Sequence, residues 1–133
     1  MEVYWLSILG VLALCLLSVV LAVYSGSSKG VAGALAGPVV PADDDNRLYR
    51  IDRVHMNSVE ALAAFIVPAA LAMMVGVGAA TLATLVWTHV AIRLLYLRGG
   101  NAAKGGSVRT ILYVSGALVT FALILVTGWA ALN

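Results

Sequence analysis

Arg50-Ile51-Asp52-Arg53-Val54-His55-Met56-Asn57-Ser58-Val59-Glu60-Ala61-Leu62-Ala63-Ala64-Phe65 runs from a dense set of polar groups straight into an apolar segment, and no other stretch of the chain does so. Helical spacing of about 100° per residue puts Arg50, Arg53, Asn57 and Glu60 at about 0°, 300°, 340° and 280°, a stripe about 80° wide. It carries two guanidiniums, an amide and a carboxylate, while His55, at about 140°, points elsewhere. A polar stripe on a helix otherwise built from Ala, Leu, Ile, Val and Phe must face other protein or a wet cavity, because lipid offers its groups no partners.

The rest of the chain makes lipid the natural solvent. Of 133 residues, 62% are hydrophobic and only 11% charged, and the mean hydropathy is +1.02. Soluble domains carry about 25% charged residues, and one this apolar would aggregate. The net charge of +2 is too small to point to nucleic acid. The single cysteine, Cys15, lies inside the first apolar run, which excludes an intrachain disulfide and a cysteine metal cluster. No metal site is expected. Glu2 stands where a signal peptide would carry basic residues, and residues 3–24 are longer than a signal-peptide core, so a retained spanning helix is expected.

The pattern predicts an all-α, four-span membrane domain over residues 1–133, with helices over about 3–24, 47–75, 79–97 and 108–132. Residues 25–46 read as one long loop, rich in Gly and Pro and ending in Asp43, Asp44 and Asp45. That triplet suits capping of the second helix better than a metal site. Pro68 is expected to kink the second helix. Lys29, Arg47, Arg50, Arg53, Arg93, Arg98, Lys104 and Arg109 are all the basic residues, and all belong to the first loop, the third loop or adjoining helix ends. The positive-inside rule therefore puts those loops in the cytoplasm and both termini outside.

Three helices carry polar residues toward that same side. His89, Arg93 and Tyr96 form a second stripe on helix three, at about 0°, 40° and 340°. On helix four, Arg109 and Tyr113 stack one turn apart with Thr110 beside them. A charge inside a span costs about 2.5–3.5 kcal/mol on insertion scales, so such groups pair or line a ligand site. Guanidiniums with one carboxylate and one amide suit a small zwitterionic anion, the forks taking carboxylates and the Glu an ammonium. Bland alternatives stand beside this reading. Arg50 and Glu60 suit interhelical ion pairs, His89 a buried structural histidine, Tyr96 and Tyr113 the aromatic belt, and Arg98 and Lys104 anchoring at the headgroups. Tyr4, Trp5 and Trp129 read as belt residues on the opposite face.

Arg50-x-x-Arg53-Val54-His55-Met56-Asn57-x-x-Glu60, followed by Phe65 and Pro68, resembles the signature of the MAPEG family, membrane-associated proteins of eicosanoid and glutathione metabolism. Arg93-x-x-Tyr96 and Arg109-Thr110-x-x-Tyr113 extend the likeness, and the chain looks like a bacterial-type member. The resemblance implies a homotrimer of four-helix bundles in a bacterial inner membrane, holding glutathione as cosubstrate between subunits near the cytoplasmic side. It implies ligand contacts from Arg53, Asn57 and Glu60 on helix two and from Tyr96, Arg109 and Tyr113 on the neighbouring subunit's side, and Arg50, His55 and Arg93 are further candidates for the ligand site, His55 equally for a subunit contact. Arg109 would stabilise a thiolate and Thr110 donate a hydroxyl.

The implied activity is a glutathione-dependent transferase or peroxidase working on hydrophobic electrophiles from the bilayer, bound between helices one and four. The chain departs from the family pattern where Ser25-Gly26-Ser27-Ser28 replaces basic residues, at Met56, and in lacking a second tyrosine over residues 97–104. The family also contains a non-catalytic lipid-binding member, so a ligand-binding accessory protein is the second reading. A small multidrug exporter would need a carboxylate within residues 3–24, and none is present.

Overall fold

A computed structural model describes residues 2–33, 40–102 and 106–133. A single 3-10 turn, Glu2–Tyr4, leads into α1, Trp5–Val31; α2 is Arg47–Met74, α3 Ala79–Ala102 and α4 Gly106–Leu132. All four are long and apolar enough to cross a membrane. Helices α2 and α3 pack against each other and against both remaining helices, so α1 and α4 lie on opposite flanks of a central pair. Large apolar side chains on those flanks face outward, among them Leu9, Leu16 and Val23 of α1 and Leu118, Phe121 and Leu125 of α4. Such faces suit contact with lipid.

Helix α1 is longer than its apolar run, because polar bonds hold Ser25-Gly26-Ser27-Ser28 in the helix instead of releasing them to the loop. Ser25 is buried and its hydroxyl donates to Asp52 of α2 at 3.4 Å, and Lys29 forms an ion pair with the same carboxylate. The helix stops where Gly33 takes a φ of 69°, with its N–H bonded to the Gly30 carbonyl. Helix α3 likewise runs past residue 97, since Gly99 lets its backbone close on Val108 and Leu112 of α4. Lys104 lies outside the described residues.

Asn46, not the aspartate triplet, caps α2: its side-chain oxygen accepts from the Leu48 N–H at 2.9 Å. Helix α2 then passes through Pro68 as one helix. It ends at Gly76, φ 80°, with the Val77 N–H bonded to the Ala72 carbonyl. The hydroxyl of Tyr4 donates to the Val77 carbonyl at 2.7 Å, so this tyrosine pins the α2–α3 turn. Leu14, Phe65, Ala69, Val86, Val90 and Leu123 belong to the main core, and Leu21, Val54 and Tyr96 form a second cluster.

Candidate functional site

Because α2 and α4 pack side by side, the polar stripe of one faces the first turns of the other. Arg53, Asn57 and Glu60 from α2 and Arg109, Thr110 and Tyr113 from α4 line one cleft of about 330 Å³. The 3-4-3 spacing on α2 and the pair one turn apart on α4 place these groups on facing surfaces. One chain thus assembles groups that the family resemblance divided between neighbouring subunits. A volume of a few hundred Å³ matches a small ligand.

A buried relay stands behind the cleft wall. Asn57 Nδ2 donates to the hydroxyl of Tyr96, which is fully buried. The Arg93 guanidinium lies over the Tyr96 ring, 5.6 Å from its centroid, and its Nε donates to His89 Nε2 at 3.3 Å. His89 in turn stacks on Phe65, with centroids 4.0 Å apart and planes 17° from parallel. Arg93 and His89 are 4% and 1% exposed, so neither meets solvent. Gly116 on α4 makes room for the guanidinium: a Cβ there would sit 3.2 Å from Arg93 Nη2. Phe65 and Gly116 were not readable as parts of this relay, because stacking and close approach leave no periodic trace.

At the mouth of the cleft, Arg109 Nη2 donates to Asp44 Oδ1 at 2.8 Å, while Arg109 Nη1 is buried without a hydrogen-bond partner among the described residues. Arg50 turns back to the loop, its Nη1 donating to the carbonyls of Asp44 at 2.7 Å and Asp45 at 2.9 Å. Arg50 therefore organises the loop and does not line the cleft, and half-buried His55 does not line it either. Lys29, the cation at the end of α1, is engaged by Asp52. Asp44 is the neighbour that the sequence concealed, since an acidic triplet before a helix reads first as a cap.

The polar cleft continues into an apolar groove. Glu60 and Tyr113 line both, and the groove, about 270 Å³, adds Ala61 and Ala64 of α2 and Ala117, Phe121 and Ile124 of α4. Small alanines on both helices leave this gap. Within one chain α1 and α4 occupy opposite flanks, and the groove beside the polar groups lies between α2 and α4. Buried Arg93 borders the groove from behind.

Comparison with known proteins agrees with the residue pattern: the model of the MAPEG family matches residues 3–129. The chain belongs to the MAPEG family. No curated protein and no solved structure matches it. MAPEG membership and four apolar helices make this an integral membrane protein. The family includes glutathione transferases and peroxidases as well as other members.

In this MAPEG chain ten predicted site residues separate into three groups. Arg53, Asn57, Glu60, Arg109, Thr110 and Tyr113 meet at the cleft; Arg93 and Tyr96 support it from behind; Arg50 and His55 stand apart. Chemically, the cleft offers two guanidiniums for anionic groups, one carboxylate for a cation, and amide and hydroxyl groups for polar contacts.

Proposed function

We propose that this MAPEG protein is a glutathione-dependent transferase or peroxidase for hydrophobic electrophiles that reach it from the bilayer. The observation that carries the reading is the continuity of a zwitterion-matched polar cleft with an apolar groove through Glu60 and Tyr113. Arg53 pairs with a ligand carboxylate, Glu60 takes the ammonium, and Asn57, held by Tyr96, orients the peptide. Free thiols titrate near 8.5, so the Arg109 charge and the Thr110 hydroxyl favour the thiolate at neutral pH. In the transferase reaction the thiol proton leaves to solvent, the sulfur bonds to an electrophilic carbon, and a halide departs. In the peroxidase reaction sulfur attacks the peroxide oxygen, and a second thiol completes reduction to alcohol, water and disulfide. The groove aligns the apolar body of the electrophile beside the sulfur.

The same reading includes a homotrimer in a bacterial inner membrane, with the first and third loops cytoplasmic and both termini outside, as the clustering of basic residues supports. The test is turnover of glutathione with an aryl halide or a lipid hydroperoxide by the purified protein. Arg109→Ala is expected to reduce turnover at least about tenfold and to lower thiolate absorbance of the bound ligand. No turnover, together with thiolate absorbance indifferent to Arg109→Ala, would sink the reading. A second reading, a non-catalytic lipid- or ligand-binding accessory protein, draws on one observation: the cations nearest the cleft mouth and the end of α1, Arg109 and Lys29, are already paired with carboxylates. Calorimetry that finds lipid binding without glutathione binding would favour it.

A further inference from the structure

Asp44 lies on the loop before α2, yet its carboxylate reaches Arg109 at the start of α4, 65 residues along the chain. This reach is supported on several sides. Arg50 holds the carbonyls of Asp44 and Asp45, and Asp43 Oδ1 accepts from the Asp45 N–H at 2.9 Å, so the loop is tied down on either side of the carboxylate. The Arg109 side chain is only 15% exposed and that of Asp44 39%, so the pair sits where protein and solvent meet and is not fully screened.

The pair changes the charge of the cleft. Its lining supplies the guanidiniums of Arg53 and Arg109 and the carboxylate of Glu60. Asp44 adds a second carboxylate, so the formal charges cancel; without it the cleft carries one net positive charge. Among the described residues, Arg53 is the cleft guanidinium with no carboxylate paired to it, and Glu60 remains for an ammonium.

We propose that Asp44 is a specificity-determining residue: by neutralising Arg109 it makes the cleft discriminate against each further negative charge on the ligand. The inference rests on the thiol-peptide reading given above. Asp44 acts through Arg109, so it is a positioning residue and takes no part in bond making. A ligand with one carboxylate and one ammonium binds without disturbing it. A ligand with a second carboxylate brings a further negative charge into a cleft whose net charge Asp44 has already cancelled.

Glutathione and its glycyl ethyl ester differ by that one carboxylate, and calorimetry in detergent micelles reads the ratio of their affinities. In Asp44→Asn, which keeps an acceptor for Arg109 and removes the charge, the ratio of glutathione to ester affinity should rise about fivefold, the scale of a partly exposed ion pair. Asp44→Ser provides a second measurement of the same ratio. Asp43→Asn removes an equal charge from the same loop without touching Arg109 and should leave the ratio within about twofold, since a more distant exposed charge is screened. Binding of both peptides with an unshifted ratio in both Asp44 variants, or an equal shift in Asp43→Asn, overturns the inference and leaves the thiol-peptide reading standing. Failure of every protein to bind either peptide overturns that reading and this inference together.

Discussion

Two arginine-bearing stripes enter the membrane region of this protein, and they end differently. On α2, Arg53 and Glu60 are exposed to a cleft with only part of their polar surroundings supplied by the chain. On α3, Arg93 is closed in by His89, Tyr96 and Gly116. Both stripes carry arginine among polar groups at helical spacing. What separates them is the neighbour: the α3 stripe packs on Phe65 of α2 and Gly116 of α4, whereas the α2 stripe faces the small-residue, hydroxyl-bearing beginning of α4 across a cleft. The Arg93 guanidinium thus has an aromatic face and an imidazole as partners, whereas that of Arg53 faces the cleft.

The largest effect that could break this distinction is loss of the buried stack. Phe65→Ala removes the ring beneath His89 and leaves a cavity in the core, which should cost about 3–5 kcal/mol. Thermal unfolding in detergent measures it; a melting temperature unchanged from wild type would show that the stack contributes nothing. Next comes Arg53→Ala, which should weaken glutathione binding by about 2 kcal/mol, roughly thirtyfold, with little change in unfolding. The opposite pattern, lost stability with intact binding, would place Arg53 in the structural class with Arg93.

Gly116→Ala sharpens the comparison from the α4 side. The added methyl presses on Arg93 Nη2, and overpacking of this kind costs about 1–2 kcal/mol. Its unfolding temperature should fall, whereas the same substitution at Gly128, where a Cβ meets nothing within 4 Å, should be neutral or mildly stabilising. Equal responses at the two glycines would remove the close approach as the cause. Smallest is Lys29→Ala. Its partly exposed pair with Asp52 should contribute about 0.5 kcal/mol to stability, and glutathione affinity should stay within about twofold because that cation is already engaged away from the cleft. A larger loss of binding would bring Lys29 into the site.

Much of the architecture was legible in residue order. Charge-free runs of spanning length announce helices, since a backbone in lipid must satisfy its own hydrogen bonds. The 3-4-3 polar spacing on α2 marked a face turned to protein or a wet cavity, and Arg53, Asn57 and Glu60 of that stripe line one cleft. Legibility failed where polarity was taken for exposure. Ser25-Gly26-Ser27-Ser28 resembles a loop, yet a bond from Ser25 to Asp52 keeps it helical. Arg50 belongs to the same stripe as Arg53, yet two loop carbonyls draw it away. Tyr96 shares a stripe with groups expected at the ligand, yet it is wholly buried and reaches the cleft through Asn57.

By itself, then, the sequence determined the membrane-spanning helices, the MAPEG signature and the helix faces that carry the polar stripes, because hydropathy and helical period act within each segment. Tertiary structure alone decided which charges are free. Asp44 and Arg109 are far apart in the chain, as are Lys29 and Asp52, and no local pattern encodes that each finds the other. Coulomb attraction depends on distance in space, and only the packing of α1 against α2, and of α2 and α3 against α4, brings those charges within reach.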